Sequence, residues 1–270
     1  MPSNTTRAFW ALVLCGQLAL MGGCGKSPTE ALATPGGDAT ASTQATNQAV
    51  AKAYDLVDAK STEDASRGFI AAPTGKVLAA DGTLIWNFEA YDFVKGAAPD
   101  TVNPSLWRQA LLNGKVGLFK VSEGIYQLRG FDISNITLIE GKTGWIVVDT
   151  LTARETAAAA MAFARQHLGN KPVSAVVFTH SHVDHFGGAL GVITAEEVAK
   201  RQVPVVAPVG FMEEATSENV LVGIGMGRRA GYMYGKNLER SARGQVDVGN
   251  GKAAAFGSIG ILAPNQIIKE

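Results

Sequence analysis

The stretch VSAVVFTHSHVDHFGG, residues 173–188, decides the fold and the chemistry that we expect of this chain. Residues 173–178 form a continuous apolar run, which is typical of a strand buried on both faces of a sheet. A polar cluster follows directly, at the carboxyl end of the strand, where α/β proteins usually place their sites. The chain has four histidines, and three of them, His180, His182 and His185, lie in this cluster. We therefore expect the function to depend on this short segment.

The residue types in the cluster indicate a metal centre. Imidazole and carboxylate groups are ligands that suit zinc and related divalent metals. His180 and His182 can face the same side of an extended loop, and Asp184 and His185 can serve a second metal from a turn. Two metals about 3.5–4 Å apart can share a hydroxide and polarise an ester oxygen. The alternative is a hydrogen-bonded polar loop, or a surface cluster that binds metal adventitiously. We predict His180, His182, Asp184 and His185 as metal ligands.

The segments on either side of the cluster predict an α/β (α+β) fold. Before residue 150 the sequence reads as hairpins: Asp81-Gly82 joins two apolar runs, and Asn103-Pro104 opens a short helix. Further strands are predicted at residues 116–121, 125–128, 136–140 and 145–149. After residue 150, helices and strands alternate, with capping boxes expected at Thr152–Glu155 and Thr194–Glu197. This order favours sheets covered by helices.

Composition excludes several classes of protein. The chain has 270 residues, enough for one large domain or two small ones, and 46% of them are hydrophobic. Its 24 basic and 24 acidic residues cancel, so binding of nucleic acid through phosphate neutralisation is not expected. The two cysteines, Cys15 and Cys24, both lie near the start of the chain. They cannot form a disulfide framework or a cysteine zinc cage in the folded body.

The beginning of the chain resembles an export signal. An apolar run follows Arg7 and is too short to span a bilayer, as is typical of a signal peptide. Gly22-Gly23 before Cys24 resembles the lipobox of bacterial lipoproteins, which implies a lipid anchor on Cys24 and a periplasmic location at the outer membrane. A cleaved signal with an incidental cysteine is the alternative. We assign residues 1–24 to the signal, residues 25–49 to a flexible tether rich in small residues, and residues 50–270 to the folded part.

The HxHxDH pattern after an apolar strand resembles the metallo-β-lactamase superfamily, whose fold is an αββα sandwich. Val147-Val148-Asp149-Thr150 resembles the superfamily's first motif, in which an aspartate at a strand end supports the metal loop through hydrogen bonds. The resemblance therefore implies a supporting role for Asp149. Its alternative role is that of a helix-start residue near Thr152.

Several separated motifs resemble a narrower family, the linear alkyl sulfatases of bacteria. They are NPSLWRQ (103–109), GIYQLRG (124–130), SENV (217–220), GMGRRAGYMYG (225–235) and GSIGILAP (257–264), and only residues 236–250 depart from the family pattern. The resemblance implies a hydrolase of linear alkyl sulfate esters such as dodecyl sulfate, which are small amphiphilic substrates. It also implies two zinc ions per complete site and a homodimer when the enzyme is full length.

No histidine follows His185, and the remaining ligands of the alkyl sulfatases lie beyond the point that matches Glu270. The resemblance thus implies the N-terminal part of a longer enzyme, with an incomplete sandwich in this chain. Two other interpretations stay open. One is a different hydrolase of the superfamily, acting on lactams, lactones or thioesters, and the other is a non-catalytic exported lipoprotein remnant.

Overall fold

A computed structural model describes residues 36–56 and 58–269 of the chain. The predicted signal peptide, Cys24 and the first part of the predicted tether lie outside these residues, so those assignments stay predictions. Within the described ranges, no helix combines the length and the apolar character needed to cross a membrane.

The described residues form the following elements. The helices are α1 (Ala41–Ala53), α2 (Ala59–Ser66), α3 (Pro104–Asn113), α4 (Arg154–Leu168), α5 (Val183–Phe186), α6 (Ala189–Val192), α7 (Ala195–Arg201), α8 (Phe211–Thr216), a π-helical turn at Ser217–Leu221 and α9 (Gly223–Tyr234). The strands are β1 (Phe69–Ala71), β2 (Lys76–Leu78), β3 (Leu84–Asn87), β4 (Gly117–Ser122), β5 (Ile125–Arg129), β6 (Ile136–Glu140), β7 (Trp145–Val148), β8 (Val173–Val177), β9 (Val205–Pro208) and β10 (Gln266–Ile268).

Helix α1 begins inside the segment 25–49 that we predicted as a flexible tether. The Thr40 side chain accepts a hydrogen bond from Thr43 N and caps the helix, and Asn47 Nδ2 donates to Asp100 O at 2.8 Å. The alanines that suggested a tether are also strong helix formers. The tether prediction is therefore wrong from Ala41 onward, because a cap and a tertiary contact select the helix.

Eight strands form the main sheet, in the order β1-β4-β5-β6-β7-β8-β9-β10. Strands β4 to β7 pair antiparallel, whereas β7, β8, β9 and β10 run parallel. The predicted order of hairpins followed by alternating helices and strands is confirmed. Val148 lies beside Val177, so the carboxyl ends of β7 and β8 open at the same edge of the sheet.

One face of this sheet carries the main core. Trp145 and Val147 of β7 are buried in one cluster with Ala160 and Met161 of α4. The alternate residues Ile146 and Val148 point to the opposite face and stay partly exposed. Helix α4 therefore covers this face of the main sheet, as expected of one layer of an αββα sandwich.

The hairpin of β2 and β3 forms where it was predicted, but its turn differs. Gly82 N donates to Ala79 O and Ala79 N donates to Thr83 O, which closes a three-residue loop. Gly82 alone among the loop residues has a positive φ, of 85°. The two-residue turn that Asp81-Gly82 predicts would need positive φ at both residues; that prediction is wrong, because the longer loop needs only one such residue.

Helix α4 does not begin with the capping box predicted at Thr152–Glu155. Ala153 is its N-cap and makes no side-chain cap bond. Arg154 N instead donates to Ser258 O at 2.8 Å, and Ser258 N donates to the Glu155 carboxylate at 2.9 Å. The segment around Ser258, far along the chain, thus supplies hydrogen-bond partners for the first turn of α4. The second capping box, at Thr194 and Glu197, is confirmed.

Thr152 is instead bonded to a buried carboxylate, that of Asp132 in the loop between β5 and β6. Asp132 is 1% exposed. It accepts hydrogen bonds from Ile133 N, Thr152 N, Thr152 Oγ1, Thr156 Oγ1 and Ala255 N. Burial raises the Asp132 pKa, and these donors oppose that effect by favouring the charged form. Asp132 therefore joins three separate segments around the start of α4.

Replacing Asp132 should destabilise the fold strongly. The variant Asp132→Ala leaves several buried donors without an acceptor, so we expect the free energy of unfolding to fall by about 3–5 kcal/mol in urea denaturation. The exposed Asp92 provides the control, and Asp92→Ala should stay within about 0.5 kcal/mol of the wild type. Equal stability of the two variants would show that the Asp132 bonds contribute nothing.

Candidate metal centre

The carboxylate of Asp149, directly after β7, is hydrogen-bonded to both ends of the predicted metal loop, residues 179–185. Thr179 N donates to Asp149 Oδ1 at 2.9 Å, and Thr179 Oγ1 donates to Asp149 Oδ2 at 2.8 Å. His185 Nδ1 lies 2.7 Å from the same Oδ2. Asp149 adopts a positive φ of 58°, which is uncommon for a residue other than glycine and persists only where the surroundings enforce it. These bonds engage the carboxylate, and Ala153 is the N-cap of α4, so Asp149 is bonded to the loop and does not cap the helix.

The glycines that close the HxHxDH segment allow it to pack against the chain that follows β7. A Cβ added to Gly187 would lie 2.2 Å from Thr152 O, and one added to Gly188 would lie 2.1 Å from Thr150 O. Thr150 N also donates to His185 O at 2.8 Å. Only glycine permits this approach, so the backbone after β7 and the metal loop are fixed against each other.

The structure brings the four predicted ligands into one cluster. The imidazole ring of His180 lies 4.0 Å from that of His185 and 4.7 Å from that of His182, measured between centroids. The Asp184 carboxylate lies 3.2 Å from His185 Nε2. His185 and Asp184 belong to the short helix α5, whereas His180 and His182 precede it. A strand end and one helical turn are therefore enough to gather these donors.

Hydrogen bonds around Asp149 fix which nitrogen each of two imidazoles presents. The single hydroxyl proton of Thr179 goes to Asp149, so Thr179 Oγ1 accepts from His180 Nδ1 at 2.9 Å. His185 Nδ1–H donates to Asp149 directly. Both rings then present Nε2 toward the cluster. A second partner that orients the ring in this way is typical of metal-ligating histidines.

The protonation states suit metal binding at two of the donors. Burial lowers the His180 pKa, and the neighbouring His185 and His182 lower it further, which keeps the ring neutral. Burial raises the Asp184 pKa, but the hydrogen bond to His185, the charge of His185 and smaller contributions from the backbone and His182 together outweigh it, so the net pKa is lowered. Burial likewise lowers the His185 pKa, yet the Asp149 and Asp184 carboxylates together raise it to about 9. A metal at His185 must therefore displace a proton.

The donor set fits a divalent cation in its chemistry. Three clustered imidazoles and a carboxylate are borderline ligands of the zinc type, and their rings are held as ligands usually are. Within the described ranges, however, no three His, Cys, Asp or Glu side chains converge closely enough to enclose an ion. The described residues thus provide donors for a metal ion without a closed coordination shell.

A cavity of about 570 Å³ opens beside this cluster and is lined by His182, Asp184 and His185. Its far wall comes from the π-helical turn, from the inner face of α9 and from residues 235–256. That wall is largely apolar, with Met226, Ala230, Leu238 and Phe256, and it also carries the cationic side chains of Lys236 and Arg240. A larger cavity of about 720 Å³ lies between α1, α2 and α3, and none of the predicted ligands lines it.

Sequence reasoning missed three residues that act on the cluster. Ser134 Oγ donates to the carbonyl of Asp184, and Thr179 links Asp149 to His180. Glu218 Oε1 lies 3.5 Å from His182 Nε2. Thr179 lies beside the motif and could have been found there. Ser134 and Glu218 lie far from it along the chain and have no ligand spacing that would single them out.

The sequence profile of the metallo-beta-lactamase superfamily matches residues 129–264, the part of the chain that carries this cluster. The chain belongs to the metallo-beta-lactamase superfamily. The fold class expected from the HxHxDH segment is thereby confirmed, and a superfamily member is expected to use a metal-dependent site.

The chain is also similar to alkylsulfatases, as its separated motifs indicated. It is 44% identical over 231 residues to an alkyl/aryl-sulfatase of Saccharomyces cerevisiae, and 46% identical over 235 residues to a linear primary-alkylsulfatase of a Pseudomonas species. These matches cover 85% and 86% of this chain, but only 36% and 35% of the relatives. The solved structure of a stereoselective inverting sec-alkylsulfatase from a Pseudomonas species matches with a TM-score of 0.83 at 46% identity, over 87% of this chain and 37% of that one. The chain therefore spans little more than a third of the length of these relatives.

Removing the negative charge of Asp149 should weaken metal binding. In Asp149→Asn the orientation of His180 and His185 is lost, and we expect affinity for cobalt(II), measured against a competing chelator, to fall roughly 10- to 100-fold. The matched control is Glu140→Gln on β6, whose carboxylate pairs with Lys171 away from the loop. Equal affinities for the two variants would contradict the supporting role of Asp149.

Proposed function

We propose that this chain carries the metal loop of a zinc-dependent hydrolase of linear alkyl sulfate esters, which releases an alcohol and inorganic sulfate. The observation that carries the proposal is that His182, Asp184 and His185 line a cavity whose far wall combines apolar side chains with the cationic Lys236 and Arg240. Identity of 44–47% with three alkylsulfatases over most of this chain supports the same substrate class.

The four predicted ligands would hold zinc, with His180 and His182 serving one ion and Asp184 and His185 a second. When bound, zinc would supply Lewis acidity and an acidified water for the hydrolysis of the ester. Asp149 and Thr179 keep the Nε2 atoms of His180 and His185 turned toward the cluster. Ser134 fixes the backbone of Asp184 through its carbonyl oxygen. The protein's contribution is thus to present oriented donors beside the substrate.

The walls of the cavity suit an amphiphilic anion. Lys236 and Arg240 would attract the sulfate group, since an alkyl sulfate carries one negative charge. Met226, Leu238 and Phe256 would contact the alkyl chain, and each buried methylene would contribute about 0.8 kcal/mol. Hydrolysis adds one water to the ester and yields the alcohol and hydrogen sulfate, so the charged product and the apolar product need different surroundings.

Sulfate release from dodecyl sulfate tests the proposal directly. We expect the zinc-loaded chain to release sulfate slowly, and the variants His182→Ala and Asp184→Ala to fall to background because each removes a metal donor. The variant Glu214→Ala, on the exposed side of α8, should release sulfate at the wild-type rate.

Parallel assays separate the other interpretations. Faster cleavage of nitrocefin, a lactone or a thioester would identify a different hydrolase of the superfamily. An absence of turnover on every substrate would favour the non-catalytic lipoprotein. Release that survives both substitutions would refute the assignment of His182 and Asp184.

The role of the apolar wall can be measured by binding alone. Alkyl sulfonates resist hydrolysis. Their affinity for this chain should rise about fourfold for each added methylene, until the alkyl group covers the whole apolar wall. Met226→Gln, on the inner face of α9, should weaken binding of decyl sulfonate roughly tenfold in calorimetry. Met233→Gln is the control and should bind like the wild type, because Met233 is 59% exposed and does not line the cavity. Equal effects of the two variants would place the alkyl chain elsewhere.

A further inference from the structure

We propose that Glu218 is a positioning residue for His182: its carboxylate holds the proton of that imidazole on Nε2 and leaves Nδ1 for a metal ion. The inference rests on the proposed metal site and adds a residue that no ligand motif contains. It assigns to Glu218 the task that Asp149 performs for His185.

The three clustered imidazoles differ in where their partners come from. Asp149 contacts His185, and Thr179 contacts His180, so both of these partners lie at the adjacent ends of β7 and β8. His182 is the most exposed member, with 58% of its side chain accessible. The carboxylate that lies near it comes from Glu218, at 3.5 Å from His182 Nε2. Without Glu218, no contact described for His182 would distinguish its two nitrogens.

The backbone around Glu218 has an unusual helical conformation. Glu218 lies in the π-helical turn Ser217–Leu221, an arrangement that is rare and occurs often at functional sites. Asn219 Nδ2 donates to Ala215 O at 2.8 Å, which supports this turn from within. Glu218 and Asn219 of this turn line the same cavity as His182.

The π-turn and the metal loop share one anchor in the core. Phe211, at the start of α8, is 2% exposed and stacks on Phe178 with ring centroids 5.1 Å apart. Phe178 directly follows β8 and leads into His180. Phe211 also meets Phe186, which ends α5, edge to face at 5.7 Å. Aromatic contacts on both sides of the HxHxDH segment therefore hold the start of α8, which leads into the π-turn, against this segment.

The chemistry follows from the two nitrogens of imidazole. A neutral ring carries one proton, and an acceptor beside one nitrogen leaves the lone pair on the other nitrogen free for a metal. A carboxylate at Nε2 thus selects the Nε2–H tautomer of His182. The Glu218 side chain is 25% exposed, so its interaction with His182 is only partly screened by water. The same carboxylate could instead bind the metal itself, and the experiment must separate these roles.

Metal affinity and the His182 tautomer test the proposal. Glu218→Ala should lower cobalt(II) affinity roughly 10- to 100-fold. Glu218→Gln should recover most of it, because its amide oxygen still accepts from Nε2–H. Glu214→Ala, four residues earlier on α8 and exposed, is the matched control and should bind cobalt(II) like the wild type. Thermal melting of each variant checks that the fold is retained.

Nitrogen-15 NMR of the metal-free chain supplies a readout that a merely structural role would not change. We expect the Nε2–H tautomer at His182 in the wild type and in Glu218→Gln, and a mixture of tautomers in Glu218→Ala. Unchanged affinity and tautomer in Glu218→Ala would overturn the proposal. Equal losses in Glu218→Ala and Glu218→Gln with an altered cobalt absorption spectrum would also overturn it, since they would make Glu218 a ligand. Neither measurement uses a sulfate ester, so a failure of the proposed sulfatase activity would be seen separately.

Discussion

The candidate site depends on one carboxylate, that of Asp149, which bonds to both ends of the metal loop. It accepts from Thr179, the residue before His180, and from His185, the last histidine of the motif. The parallel pairing of β7 with β8 brings these groups to the same edge of the sheet. Through Thr179 and His185 the single charge of Asp149 sets the tautomer of two imidazoles. Loss of this interaction would leave the donors present but not oriented.

The positive φ values at Asp149 and Leu151 are part of the same constraint. They turn the chain sharply after β7, so that its carbonyls press against Gly187 and Gly188. Asp132 then ties the following segment to the β5–β6 loop and to Ala255. A strained turn of this kind requires surroundings that enforce it, and buried hydrogen bonds provide them. The donors therefore sit on a rigid base although they belong to a loop.

The opposite wall of the cavity, formed by α9, is packed much more loosely than the metal loop. Helix α9 contains Gly223, Gly225 and Gly227, where an added Cβ would meet no atom within 4 Å. These glycines are not required by close packing, and each weakens the helix by about 1 kcal/mol relative to alanine. None of the residues of α9 is buried. A rigid donor loop thus faces an intrinsically weak helical wall.

The sequence alone determined the strand before the metal loop, the four clustered donors and the supporting aspartate, because each of these is a local pattern of neighbouring residues. It also determined the order of hairpins followed by parallel strands, through apolar runs and turn residues. It failed where distant segments compete with local signals: Thr152 bonds to Asp132 and not within a capping box, and Ser258 bonds to Glu155, in the first turn of a helix that lies 103 residues before it along the chain. Residues 41–49 form a helix for the same reason, since Asn47 reaches Asp100. Glu218 lies beside His182 because the tertiary fold brings the turn at 217–221 to the metal loop, with Phe211 stacked on Phe178. Such contacts have no periodic signature in the sequence, because the free energy that selects them comes from tertiary packing and hydrogen bonding between segments far apart in the chain.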